Sequence, residues 1–136
     1  MQRLLQGEVG SGKTIVAFLA LLLARGNGHQ GAFLAPTEIL ARQHYENACS
    51  FFGPDGVALL CGGCSAAERR RVLQGLADGS VSLVFGTHAL IGEGVGFRRL
   101  ALVVIDEQHR FGVAQRAALF FKGRAVDLLV TTATPI

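Results

Sequence analysis

The sequence predicts an α/β fold, a mostly parallel β-sheet with helices on both faces. Three observations carry that reading. Short apolar runs of β-favouring residues alternate with longer segments of helical spacing. Several of those runs are apolar almost throughout rather than at every second position, the pattern of strands covered on both faces. The length, 136 residues, suits a single core, and with 50% hydrophobic and 17% charged residues the chain is too apolar to stay disordered.

The first strand is expected over Gln2–Gln6. An unbroken apolar run, Ile15–Ala24, then predicts a buried helix starting at Thr14. Ten residues fall well short of the ~18 that span a bilayer, and the glycine-rich stretch before them does not suit a signal peptide. The second strand is expected over Ala32–Ala35. After Pro36, Thr37 is a good N-cap for a helix with Ala41, Tyr45, Ala48 and Phe52 on one face. Val57–Cys61 reads as the third strand. Ser65 then caps a helix with Val72, Leu73 and Leu76 inward and Arg69-Arg70-Arg71 outward. Strands follow over Ser82–Phe85 and Ala101–Asp106, then a helix carrying Phe111, Ala114, Ala118 and Phe121, then a strand over Leu128–Thr131. No repeat or linker interrupts this rhythm, so right-handed crossovers between parallel strands are expected.

Net charge is +3, from eleven arginines and two lysines against ten acids, and permits contact with phosphates without demonstrating it. Arg69-Arg70-Arg71 and Arg98-Arg99 read as solvated faces, with contact to DNA as the alternative. An odd count of three cysteines suits a reducing compartment, and a cytoplasmic location without membrane contact is expected. Cys61-Gly62-Gly63-Cys64 is a C-x-x-C, but no second pair and no H-x-x-x-H offers the further ligands that zinc requires, so it reads as a turn.

Gly7-Glu8-Val9-Gly10-Ser11-Gly12-Lys13-Thr14 fits G-x-x-x-x-G-K-[ST], with an apolar strand before it and an apolar helix after it. The glycines let backbone N–H groups converge on an anion, and the helix N-terminus adds its dipole. Lys13 supplies a point charge to the β- and γ-phosphates, and Thr14 a hydroxyl to Mg²⁺. Hydrolysis of ATP also needs a metal carboxylate and a group that orients water. Asp106 ends the strand Ala101–Asp106 and Glu107 follows it, at the strand end where open α/β folds bind ligands. Asp106 is assigned to Mg²⁺ and Glu107 to water.

Asp106-Glu107-Gln108-His109 is a DExH box, continued by Arg110-Phe111-Gly112-Val113 and Gln115-Arg116. Together with Leu34-Ala35-Pro36-Thr37-Glu38-Ile39-Leu40-Ala41, Gln43-His44, Gly86-Thr87-His88-Ala89-Leu90-Ile91 and Thr132-Ala133-Thr134-Pro135-Ile136, it resembles the RecG family of superfamily 2 DNA helicases along essentially the whole chain. Ser11, Ala89 and Gln108 favour that family over Mfd, and Gln108 over PriA. Glu8 stands where the family commonly has Asp, and Cys61–Cys64 where it usually has a Thr-Gly-Ser type of turn.

The resemblance implies a RecA-like P-loop fold and an ATP-dependent motor that remodels branched or forked DNA. Pro36, Thr37 and Glu38 would lie in motif Ia, and Gly86, Thr87 and His88 in motif Ib, both touching the DNA backbone. Thr132 and Thr134 would belong to motif III, which couples hydrolysis to strand movement, with its strand between the P-loop strand and the Asp106 strand. His109 would link the nucleotide site to that motif. The resemblance also implies a first motor domain clipped at both ends, lacking the wedge domain and the second RecA-like domain with its arginine finger. A stand-alone nucleotide-binding module completed by a partner chain is the competing expectation, with an Mfd- or PriA-like translocase domain as another.

Overall fold

A computed structural model describes residues 2–6, 13–60, 62–87, 95–107 and 126–132. In chain order the elements are β1 (Gln2–Gln6), α1 (Lys13–Gly26), β2 (Gln30–Leu34), α2 (Glu38–Phe52), β3 (Val57–Leu60), α3 (Ala66–Asp78), β4 (Leu83–Gly86), β5 (Leu100–Glu107) and β6 (Asp127–Thr132). The helix expected around Phe111–Phe121 lies outside the described residues, as does Cys61.

The strands form one sheet in the order β1-β6-β5-β2-β4-β3, and every pairing among them is parallel. The sheet is therefore wholly, not mostly, parallel among the described residues. β6 lies between β1 and β5.

Two apolar clusters cover the two faces. Phe33, Leu83, Phe85 and Val104 pack against Ala17, Phe18 and Leu21 of α1 and Ala48 of α2. Their immediate neighbours Ala32, Leu34, Val84, Val103 and Ile105 pack on the opposite face with Leu76 of α3 and with Val95. Successive strand residues point to opposite faces, so burial of both sets accounts for the unbroken apolar runs. Full burial of a Leu- or Phe-sized side chain stabilises by about 1.5–3 kcal/mol, and among the described residues eleven large side chains are essentially fully buried.

β2 begins at Gln30, two residues before the apolar run. Gln30 is only 3% exposed, and both ends of its amide are bonded. Its Nε2 donates to the carbonyls of Leu76 (2.9 Å) and Val81 (2.8 Å), and its Oε1 accepts from the Arg99 N–H (2.7 Å). Gly31 follows because α1 presses on the strand there: a Cβ at this position would lie 2.5 Å from Leu21 Cδ2.

Both expected N-caps form. The Thr37 Oγ1 accepts from the Leu40 N–H at 3.2 Å, and the Ser65 Oγ from the Glu68 N–H at 3.2 Å. The Ser65 hydroxyl also donates to Glu68 Oε1 at 3.1 Å. α3 ends at Gly79, whose φ of 91° is left-handed and whose N–H caps the Gly75 carbonyl. On α3, Arg70 and Arg71 are exposed as expected, whereas Arg69 is half-buried.

Candidate functional site

The register of the sheet gathers the motif segments at one edge. Gln6, the last residue of the strand before the glycine-rich loop, pairs with Thr132, and Thr132 pairs with Glu107. On the other side of β5, Leu34 pairs with both Ile105 and Gly86. In a parallel sheet all carboxyl ends point the same way. The segments after β1, β2, β4, β5 and β6 therefore leave from one rim, where α/β sheets bind ligands.

α1 starts at Lys13, so the first residues of this helix are Lys13 and Thr14. Its N-terminus is a suitable end for phosphate. Gly7, Glu8, Val9, Gly10, Ser11 and Gly12 of the proposed phosphate cradle lie outside the described residues, as do His88, His109 and Thr134.

Asp106 and Val104 are two residues apart on β5, so they share the face that packs on α1 and α2. The Asp106 side chain is 12% exposed and meets His44 of α2: His44 Nε2 lies 3.1 Å from Asp106 Oδ2. An ionised carboxylate only accepts, so the proton of this hydrogen bond is assigned to Nε2. The imidazole lies on Phe33, with ring centroids 4.5 Å apart and planes inclined by 39°. Phe33 in turn stacks on Phe85 at 5.3 Å. The other imidazole nitrogen, Nδ1, is buried with no hydrogen-bond partner among the described residues.

Sequence reasoning named His44 only within the Gln43-His44 pair of the resemblance and gave it no role. A signal existed: His44 lies three residues after Ala41 and four before Ala48, both fully buried. A titratable side chain on the apolar stripe of a helix needs a partner, but spacing along the chain could not name one 62 residues away.

The Pro36-Thr37-Glu38 loop follows β2 and opens α2. Ala35 N–H bonds the Gly86 carbonyl at 2.8 Å, so the β2 and β4 ends run on together past the strands. Thr87 directly after β4 is 5% exposed, and Glu38 is exposed. The Glu38 carboxylate lies over the Gly62-Gly63 turn, where a Cβ on Gly62 would sit 2.9 Å from Oε1. Both glycines of the C-x-x-C are thus accounted for as a turn beside that carboxylate. Cys64 Sγ lies 3.6 Å from the Leu59 carbonyl oxygen. Among the described residues no three His, Cys, Asp or Glu side chains cluster as a metal site. Mg²⁺ in nucleotide sites needs no such cluster: one or two protein oxygens and the phosphates hold it. The Asp106 carboxylate, a hard oxygen donor at the strand end on the face of α1, fits that requirement.

Comparison with known proteins agrees with this arrangement. The sequence model of the DEAD/DEAH box helicase family matches residues 2–136. The ATP-dependent DNA helicase RecG of Streptococcus pneumoniae is 55% identical over the whole chain, which covers 20% of that relative. RecG of Thermotoga maritima is 54% identical, again over the whole chain and 18% of the relative. The chain thus spans about a fifth of the length of these relatives. Among solved structures, RecG bound to a three-way DNA junction superposes with a TM-score of 0.83 at 50% identity, covering 98% of this chain and 18% of that one. The Hef helicase domain of Pyrococcus furiosus, at 23% identity and a TM-score of 0.75, covers 99% of this chain and 30% of that one and shares the fold. With the family model matching residues 2–136 and its RecA-like sheet in place, the chain belongs to the DEAD/DEAH box helicases, and its likeness within them is to the RecG DNA helicases.

Proposed function

We propose that this chain is the nucleotide-binding motor domain of a RecG-type helicase, which uses ATP hydrolysis to remodel branched or forked DNA. The observation that carries the reading is the Gln6–Thr132–Glu107 row, which sets the ends of the P-loop, motif III and DExH strands side by side.

In this reading Gly7–Thr14 cradles the phosphates. Lys13 neutralises the β- and γ-phosphates, and the Thr14 hydroxyl and Asp106 carboxylate hold Mg²⁺. Bound there, Mg²⁺ offsets the charge that develops on the phosphates. Glu107 orients the attacking water. Pro36, Thr37, Glu38, Gly86, Thr87 and His88 meet the DNA backbone, and His109, Thr132 and Thr134 couple the nucleotide to it. The resemblance to the RecG family implies the further partners of the motor: a second RecA-like domain and a wedge domain. By itself the chain is expected to hydrolyse ATP slowly, because an arginine supplied by another domain is worth roughly 10³–10⁵ in rate in comparable systems.

The test is nucleotide binding. Lys13→Ala should lower the affinity for labelled Mg·ATP at least tenfold while the circular dichroism spectrum and unfolding midpoint stay parental. A Lys13→Ala chain that binds as tightly as the parent would sink the phosphate assignment.

A further inference from the structure

We propose that His44 is a positioning residue for Asp106: its Nε2–H holds the carboxylate against helix α2 and fixes the orientation in which Asp106 meets the metal ion. The proposal rests on the reading of Asp106 as the Mg²⁺ carboxylate.

Three features of the contact support it. First, the bond is sheltered. The 3.1 Å separation joins side chains that are 13% and 12% exposed, and away from water a hydrogen bond is electrostatically stronger. Second, the donor itself is held still. The imidazole lies on Phe33, which is 2% exposed, and Phe33 stacks on Phe85, which is fully buried. A donor on a packed aromatic column cannot follow a carboxylate that swings; it selects one rotamer of Asp106. Third, the ring is a poor choice for packing alone. Its Nδ1 is buried without a partner among the described residues, and burying an unbonded polar atom costs about 1–3 kcal/mol. An apolar side chain between Ala41 and Ala48 would avoid that cost. The residue is explained by what its other nitrogen touches.

The contact also has a direction in the fold. His44 lies seven residues after Thr37, about two helical turns along α2. The helix that starts at the proposed DNA-contacting loop therefore carries the group that orients the metal carboxylate.

Mn²⁺ serves as the probe, its binding to the chain–ADP complex followed by electron paramagnetic resonance. His44→Phe keeps the ring on Phe33 and removes the N–H. It should weaken Mn²⁺ binding about tenfold, as loss of an outer partner of a metal ligand commonly does. ADP affinity measured in EDTA should stay parental, a combination that general loosening of the fold would not produce. His44→Gln keeps an N–H donor without the ring and should recover at least half of the loss on a logarithmic scale. It also tests the proposal independently should the Phe variant fail to fold. Asp106→Asn should lower Mn²⁺ affinity by itself, and adding His44→Phe to it should cost nothing more. If Asp106→Asn weakens Mn²⁺ but His44→Phe does not, or if His44→Gln loses as much as Asp106→Asn, positioning by His44 is overturned while the metal reading stands. If Asp106→Asn leaves Mn²⁺ binding unchanged, the metal reading fails and the proposal falls with it.

Discussion

Gln30 shows how one side chain ties three elements together. Its amide joins β2 to the end of α3 through Leu76, to the turn after α3 through Val81, and to the entry of β5 through Arg99. The sequence marks Gln30 only as a polar residue before an apolar run, so a strand sought by hydropathy starts too late. The compensating partners lie 46 to 69 residues away, and only the fold supplies them. Gln30→Leu fills a similar volume but strips the Arg99 N–H and the Val81 carbonyl of this partner. A cost of about 1–3 kcal/mol is expected, read in urea as a lower midpoint at an unchanged slope. A midpoint equal to the parent's would show that water or backbone shifts replace the amide. His44 is the functional counterpart. It too is a polar side chain on a buried stripe, and local spacing marks it without naming its partner, because what it touches arrives with β5.

The elements themselves were far more legible. Strand alternation fails where both faces are covered, and that failure is the signal for β2, β4 and β5. Helix starts were legible because capping is local: Thr37 and Ser65 bond N–H groups only three residues ahead. Strand ends were less so, since ladder partners set them; β5 runs on to Glu107 because Thr132 is there to pair with it. The two caps allow structure and function to be separated. Thr37→Ala and Ser65→Ala should each cost about 1 kcal/mol of stability, measured by chemical denaturation. Only Thr37→Ala should also weaken retention of the chain on a forked oligonucleotide, because Thr37 opens the loop assigned to DNA whereas Ser65 serves α3 alone. Equal retention of both variants would remove Thr37 from the DNA-contact set.

Across the molecule, an apolar composition has to be housed, and the two-faced sheet houses only part of it. α1 buries Ala17, Phe18 and Leu21 against the strands, yet Val16, Leu19 and Leu22 remain 44–47% exposed and Leu23 69%. Beside them Val16, Ala20 and Leu23 line a groove of about 800 Å³ with Leu102 and Leu129 of β5 and β6. No helix among the described residues is long and apolar enough to cross a membrane, so this surface is not explained by a span. A contiguous apolar patch favours association, and with 17% charged residues the chain carries little repulsion to oppose it. The purified chain is therefore expected to self-associate through α1, with the apparent mass from light scattering rising with concentration. Sulfate should strengthen the effect, as it does apolar burial generally, whereas contacts between charges would weaken in salt. Leu19→Lys with Leu23→Lys should hold the chain monomeric over the same range. Both side chains are exposed, so the fold and the binding of Mg·ATP should survive. A parent that scatters as a clean monomer at high concentration would show that the α1 surface does not drive association.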